Sequence, residues 1–148
     1  MKNLLILFFT LVTISVSAQR KDPVSWKYES KKMANNSYQI IITATVQAPW
    51  HIYSQNTGEG PVPTKFEFKK NPLIILDGNV TEKGNLQKNY DPNFKSEVKY
   101  YANSVQFIQT VKLKAKVKTS ITGTIEYMVC NDEQCLPPTK KAFTVAVQ

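Results

Sequence analysis

Two cysteines and one histidine are all the soft metal ligands in these 148 residues. That falls short of the four ligands usual for a structural zinc site, and no metal site is expected. No segment beyond residue 18 approaches the roughly 20 apolar residues a membrane helix needs, which leaves no transmembrane helix. No stretch repeats its apolar residues at the helical period, and neither an internal repeat nor a second domain is visible. Acidic residues are outnumbered 11 to 19 by Lys plus Arg. The surplus is not interleaved with aromatics: Lys112, Lys114, Lys116 and Lys118 alternate with apolar residues. They read as a solvated sheet face and not as a nucleic-acid surface.

What is present begins with an address. Lys2, an apolar run from Leu4 to Val12 interrupted at Thr10, and the small residues Val16-Ser17-Ala18 have the layout of a secretory signal peptide. Residues 1–18 are expected to be removed, leaving 19–148 as one domain. No cysteine follows Ala18, so lipid attachment at that point is excluded. The expectation is a periplasmic or secreted protein that does not span the membrane. Export with an even cysteine count also implies a compartment in which a disulfide can persist.

The remaining chain is written in period two. Tyr38, Ile40, Ile42, Ala44 and Val46 share one face, and Ala48-Pro49 ends that strand. Trp26 and Tyr28 anchor an earlier strand, with Asn35-Asn36-Ser37 as the turn between them. Phe66 and Phe68 alternate with charges. Leu73 to Leu76 form a short apolar run closed by an Asp77-Gly78 turn. Residues 81–97 show little periodicity and read as a long loop with Tyr90 to Phe94 near its tip. From Ser104 to Lys118 the pattern is regular, with Val105, Phe107, Val111, Leu113, Ala115 and Val117 on one side. Ile121, Ile125, Tyr127 and Val129 continue it, and Phe143, Val145 and Val147 close the chain. Seven or more short strands and no helix predict an all-β, immunoglobulin-like antiparallel β-sandwich.

The cysteines lie at the end of one such run, in Tyr127-Met128-Val129-Cys130-Asn131-Asp132-Glu133-Gln134-Cys135-Leu136-Pro137-Pro138. If Val129 faces the core, Cys130 falls on the opposite face with Glu126 and Met128, nearer the rim, where a partner reaches it. The four residues between the sulfurs suit a hairpin loop, and a Cys130–Cys135 disulfide is geometrically reasonable. As a staple it would contribute about 2 kcal/mol, since it closes a loop of only about six residues. On these residues alone, staple and working redox pair stand level. Asp132 and Glu133 raise the pKa of any thiol near them, so the thiols should be sluggish outside a partner complex.

Tyr-x-x-Cys, a short polar loop and Cys-x-Pro-Pro resemble the N-terminal (alpha) domain of the DsbD thiol:disulfide interchange proteins. Trp50-His51-Ile52-Tyr53-Ser54 is similar to that family's aromatic segment, and Tyr90 to Phe94 with Lys95-Ser96-Glu97 to its cap loop. The likeness covers roughly residues 25–147. The loop between the cysteines is one residue shorter here than in the best-known members. The resemblance implies an immunoglobulin-like fold without a cofactor. It also implies that Cys135 forms the mixed disulfide with a partner and that Cys130 resolves it. Phe94, with Tyr90, would cap the pair, and Tyr53 and His51 would line its other side. Electrons would come from a thioredoxin-like or membrane donor protein and pass to periplasmic acceptors, such as disulfide isomerases or cytochrome c maturation proteins. Relatives continue into a membrane domain and a thioredoxin-like domain. With this chain ending at Gln148, a separate protein is expected to reduce it.

Other readings stand beside this one. A non-catalytic immunoglobulin-like module would keep the disulfide as a staple and bind proteins through its loops. A carbohydrate-binding sandwich would use Trp50, Tyr53 and the Tyr90 to Phe94 segment. In the first of these, Phe94 and Tyr90 are ordinary loop aromatics packed on the sheet and His51 is a hydrogen-bonded structural residue.

Overall fold

A computed structural model describes residues 22–148; the expected signal segment lies outside them. Every element among the described residues is a β-strand, and every pairing is antiparallel. The chain runs β1 (Val24–Lys32), β2 (Ser37–Val46), β3 (His51–Tyr53), β4 (Lys65–Phe68), β5 (Ile74–Gly84) and β6 (Gln87–Asp91). It continues through β7 (Ser96–Ala102), β8 (Ser104–Leu113), β9 (Thr119–Tyr127), β10 (Val129–Cys130) and β11 (Thr139–Val147). One sheet has the order β1-β2-β8-β5, a second β11-β9-β4, and a third, smaller one β10-β3-β7-β6. The result is the immunoglobulin-like β-sandwich that the strand pattern predicts.

Alternation builds the core. Ile40, Ile42, Ala44 and Val46 of β2 and Val105, Phe107, Val111 and Leu113 of β8 meet Ile121, Ile125 and Tyr127 of β9 and Phe143, Val145 and Val147 of β11. β-Branched and aromatic side chains fit such a pleated, one-sided interior. Trp26 packs edge-on against Tyr127 at 5.1 Å, and Tyr28 stacks on Phe143 at 6.0 Å, closing the side where β1 and β11 lie. The Asn35-Asn36 signal is a true hairpin turn. Both residues have positive φ, 56° and 57°, the pair of left-handed conformations that matches strand twist.

Three expectations are corrected. Residues 81–97 are not a loop: β5 runs on to Gly84, and β6 and β7 form a hairpin around a four-residue turn, Pro92–Lys95. β5 and β6 lie at sheet edges with both faces largely open, so no apolar alternation marks them. Asp77-Gly78 does not end a strand. It starts a bulge, with the register to β8 shifting between Asp77 and Thr81. Gln109, buried in β8, donates from Nε2 to the carbonyls of Asp77 and Gly78, both at 3.2 Å, and holds the bulge in place. Finally, β8 stops at Leu113, because its partners end there: Lys112 pairs with Ser37 and Leu113 with Ile74. Ala115 and Val117 are therefore exposed instead of facing the core.

Candidate functional site

After Tyr127 the chain leaves the β11-β9-β4 sheet at Met128 and joins the third sheet as β10, where Val129 pairs with Ile52 and Cys130 with His51. A two-sided sheet follows from the alternation. Ile52, Tyr101 and Val129 point into the main core, whereas Tyr53, Val98 and Cys130 form a second cluster on the opposite face. Cys130 and Cys135 are disulfide-bonded, with Cα atoms 4.0 Å apart. The intervening loop is tied by Asn131: its N–H donates to the Gln134 carbonyl at 2.9 Å, and its Oδ1 accepts from the N–H groups of Glu133 (3.0 Å) and Gln134 (2.8 Å). That Asx-type turn brings the two sulfurs together.

Cys130 lies on the face its strand phase predicts, away from the main core, but it is not open to a partner. Cys130 is fully buried. Its face is no open rim, because the β6–β7 hairpin folds back over it. Tyr53 and Val98 are buried beside it, and Phe94, Tyr100, Met128 and Cys135 pack around them. Phe94 meets Tyr53 edge-on at 6.2 Å. Of the two sulfur-bearing residues, only Cys135 is partly exposed.

A polar layer adjoins the cluster. The Tyr53 hydroxyl donates to Asp91 Oδ2 at 3.2 Å and lies 3.4 Å from His51 Nε2, while Asp91 Oδ1 accepts from the Asn93 N–H at 2.8 Å. Asp91 thus ties the turn that carries Phe94 to a tyrosine wedged beside Cys130. Burial lowers the pKa of His51, and the nearby charges of Asp91 and Asp132 oppose this only in part. Burial first, then the Asp91 charge and hydrogen bond, raises the pKa of Tyr53 above its usual range. His51, Tyr90, Asp91, Tyr100 and Asp132 border a groove of about 310 Å³ beside the disulfide.

The six site residues named from sequence therefore separate. Cys130, Cys135, Tyr53 and Phe94 share one cluster, and His51 joins through Tyr53. Tyr90 stands apart in β6 with 65% of its surface open, on the wall of the groove. Tyr53 is too buried to stack on a sugar, and Trp50 is packed against the main core. Lys140 is engaged with Glu126 at 3.6 Å. Among the described residues, no group of three or more His, Cys, Asp or Glu side chains converges as a metal site.

Sequence reasoning missed the support beneath Phe94. Gly60, with φ +108°, lies directly against the Phe94 side chain. The Ser96 hydroxyl donates to the Glu59 carbonyl, and the Val62 N–H approaches Met128 Sδ at 3.5 Å. The only trace of this in the sequence is a Gly- and Pro-rich stretch, which marks a loop without saying what it holds.

A family model described as thiol:disulfide interchange protein DsbD, N-terminal, matches residues 18–147. Among solved structures, the N-terminal periplasmic domain of ScsB from Proteus mirabilis superposes with a TM-score of 0.63 at 13% identity, over 87% of this chain and 48% of that one. The chain thus spans about half the length of that structure. The reduced form of the Neisseria meningitidis DsbD N-terminal domain gives a TM-score of 0.53 at 13% identity, over 82% of this chain and 84% of that one. At such identities the likeness is one of fold. No curated protein matches the chain.

Proposed function

The chain belongs to the family of N-terminal domains of the thiol:disulfide interchange protein DsbD, and on that premise we propose that Cys130 and Cys135 are its exchanging pair. The observation that carries the reading is the unequal burial of a single disulfide, with Cys130 sealed among Tyr53 and Val98 and Cys135 partly open. An incoming thiolate meets Cys135. It bonds to that sulfur, the Cys130–Cys135 bond breaks, and Cys130 leaves as a thiolate that takes up a proton. The donor's second thiolate then attacks the donor sulfur of the mixed disulfide and releases Cys135. One donor dithiol is oxidised and the pair is reduced by two electrons; run in reverse, the same steps reduce an acceptor disulfide. Phe94 shields the pair until a partner displaces it. The donor is a thioredoxin-like or membrane electron-transfer protein, the acceptors are periplasmic disulfide proteins, and the domain itself works in the periplasm.

The complete burial of Cys130 also favours a second reading, a structural disulfide in a non-catalytic binding module. Equilibration in glutathione buffers separates the two. Structural disulfides lie below about −300 mV, whereas exchanging pairs are more oxidising. Cys130→Ala should trap a mixed disulfide at Cys135, and Cys135→Ala should trap none. A potential in the structural range with no trapped adduct would sink the exchange reading.

A further inference from the structure

Eight lysines meet at the end of the sandwich opposite the disulfide. Lys31 and Lys32 end β1, Lys69 and Lys70 follow β4, and Lys112, Lys114, Lys116 and Lys118 lie in and beyond the last turn of β8, all exposed. Scattered in sequence, they are gathered by the loops that carry them. The Leu113 N–H donates to the Asn36 carbonyl and the Lys114 N–H to the Leu73 carbonyl, each at 3.0 Å. Asn71 Nδ2 donates to Thr119 Oγ1 at 3.0 Å and to the Ser120 carbonyl at 2.9 Å. Val46, Ser104 and Tyr127 mark the other end, beside Cys130. A ten-residue strand such as β2 separates the two ends by about 30 Å.

None of the 11 Asp and Glu residues falls within 30–37, 69–76, 112–121 or 143–148. None of the eight lysines forms an ion pair among the described residues. Asp91, Asp132 and Glu133 lie instead toward the disulfide, which gives the domain a cationic end and an end richer in acids. Between the lysines stand apolar side chains that the core does not use: Met33, Leu73 and Val117 are 44%, 36% and 42% exposed. Met33 and Val117 line a shallow groove of about 450 Å³ with Lys32, Lys116 and Lys118. Among the described residues no exposed aromatic lies there to stack on a base, as single-stranded nucleic-acid surfaces require. Long lysine stems ringed around small apolar tips are the makings of an interfacial contact, with ammonium groups at phosphate level and apolar atoms below it.

The geometry points to an anionic phospholipid surface as the partner of this end. Lysine ammonium groups meet the headgroup phosphates, and Met33, Leu73 and Val117 enter the headgroup layer. Docked in this way, the domain holds its disulfide about 30 Å from the leaflet, turned toward soluble proteins. This surface lies apart from the exchange site and stands or falls without it.

The test uses residues 19–148, because the apolar segment 1–18 would bind lipid by itself and, among the described residues, the packed core runs from Val24 to Val147. Cosedimentation is measured with vesicles of phosphatidylglycerol plus phosphatidylcholine and with phosphatidylcholine alone. Binding should require the anionic lipid and weaken as salt rises. Each lysine near such a surface is worth roughly fivefold in partitioning, so K32E/K114E/K116E/K118E should lose at least ~100-fold. Reversing Lys27, Lys65, Lys83 and Lys88 should leave most of the binding. Met33→Ser with Val117→Ser should weaken binding without changing its salt dependence. Thermal unfolding confirms that each variant is folded. Failure to sediment with anionic vesicles overturns the proposal, as does equal loss from the two charge-reversal sets. So does capture by heparin or single-stranded DNA but not by vesicles, which would make the partner a soluble polyanion.

Discussion

Gly60 and Phe94 are packed so closely that a side-chain carbon on Gly60 would stand 2.6 Å from Phe94 Cδ1 and 2.7 Å from its Cβ. The glycine also has φ +108°, a conformation that L side chains rarely adopt. Gly60→Ala therefore strains the backbone and pushes Phe94 off its seat. The expected cost is about 1–3 kcal/mol in urea unfolding. Reduction of the disulfide by a small phosphine should quicken although Phe94 is still present. Wild-type stability and wild-type rate in this variant would show that the contact does not hold the Phe94 turn.

Removing the ring itself separates shielding from packing. Phe94→Ala should lower stability by about 1–3 kcal/mol, through lost burial against Tyr53. It should also speed reduction of Cys130–Cys135 by dithiothreitol by about tenfold, because access to the attacked sulfur limits exchange. Phe94→Leu should recover much of both. If Phe94→Ala is less stable yet reduced at the wild-type rate, the ring is core packing only.

The pattern of legibility follows from burial. β2, β8, β9 and β11 each bury one face, so Ile40 to Val46 or Val105 to Leu113 announce themselves by alternation. Tyr53 and Cys130 were identifiable as residues, but their full burial was not, because it depends on a hairpin whose first strand, β6, is open on both faces. β6 carries Gln87-Lys88-Asn89-Tyr90-Asp91, polar throughout, and nothing in those residues says they pair with Ser96 to Tyr100. Gln109 escaped notice because its burial is licensed only by the carbonyls of a bulge. The cationic end was legible as lysines along a strand. That Lys32 and Lys70 join them is a property of the turns.

The Tyr53 hydroxyl offers a test of the link between the cluster and its covering turn. Tyr53→Phe keeps the ring and deletes the 3.2 Å hydrogen bond to Asp91. Asp91 is only half-buried, so water replaces part of the interaction, and the loss should be about 1 kcal/mol. Asp91→Asn should cost a similar amount, and the double variant less than the sum, since both remove one contact. Strict additivity in urea titrations would show that the two residues act separately.

His51 makes the domain sensitive to acid. Burial lowers its pKa in the folded state, against an unfolded value of about 6.5. As pH falls through about 6.5 the unfolded chain gains a proton that the folded chain resists, so the unfolded state binds more protons and stability declines. The contribution of neutral His51 is complete above that pH. It is progressively lost below it, until the folded-state pKa is reached. Asp91 and Asp132 act in the opposite sense, favouring the imidazolium, so Asp91→Asn should steepen the decline. Urea midpoints at pH 7.5, 6.5 and 5.5 measure the slope. His51→Gln should flatten it across this window while leaving any carboxylate-driven loss at lower pH. Tyr53, the tyrosine edge-on to the ring, has its pKa raised and adds no slope in this range. An unchanged slope in His51→Gln would place the acid sensitivity on another group.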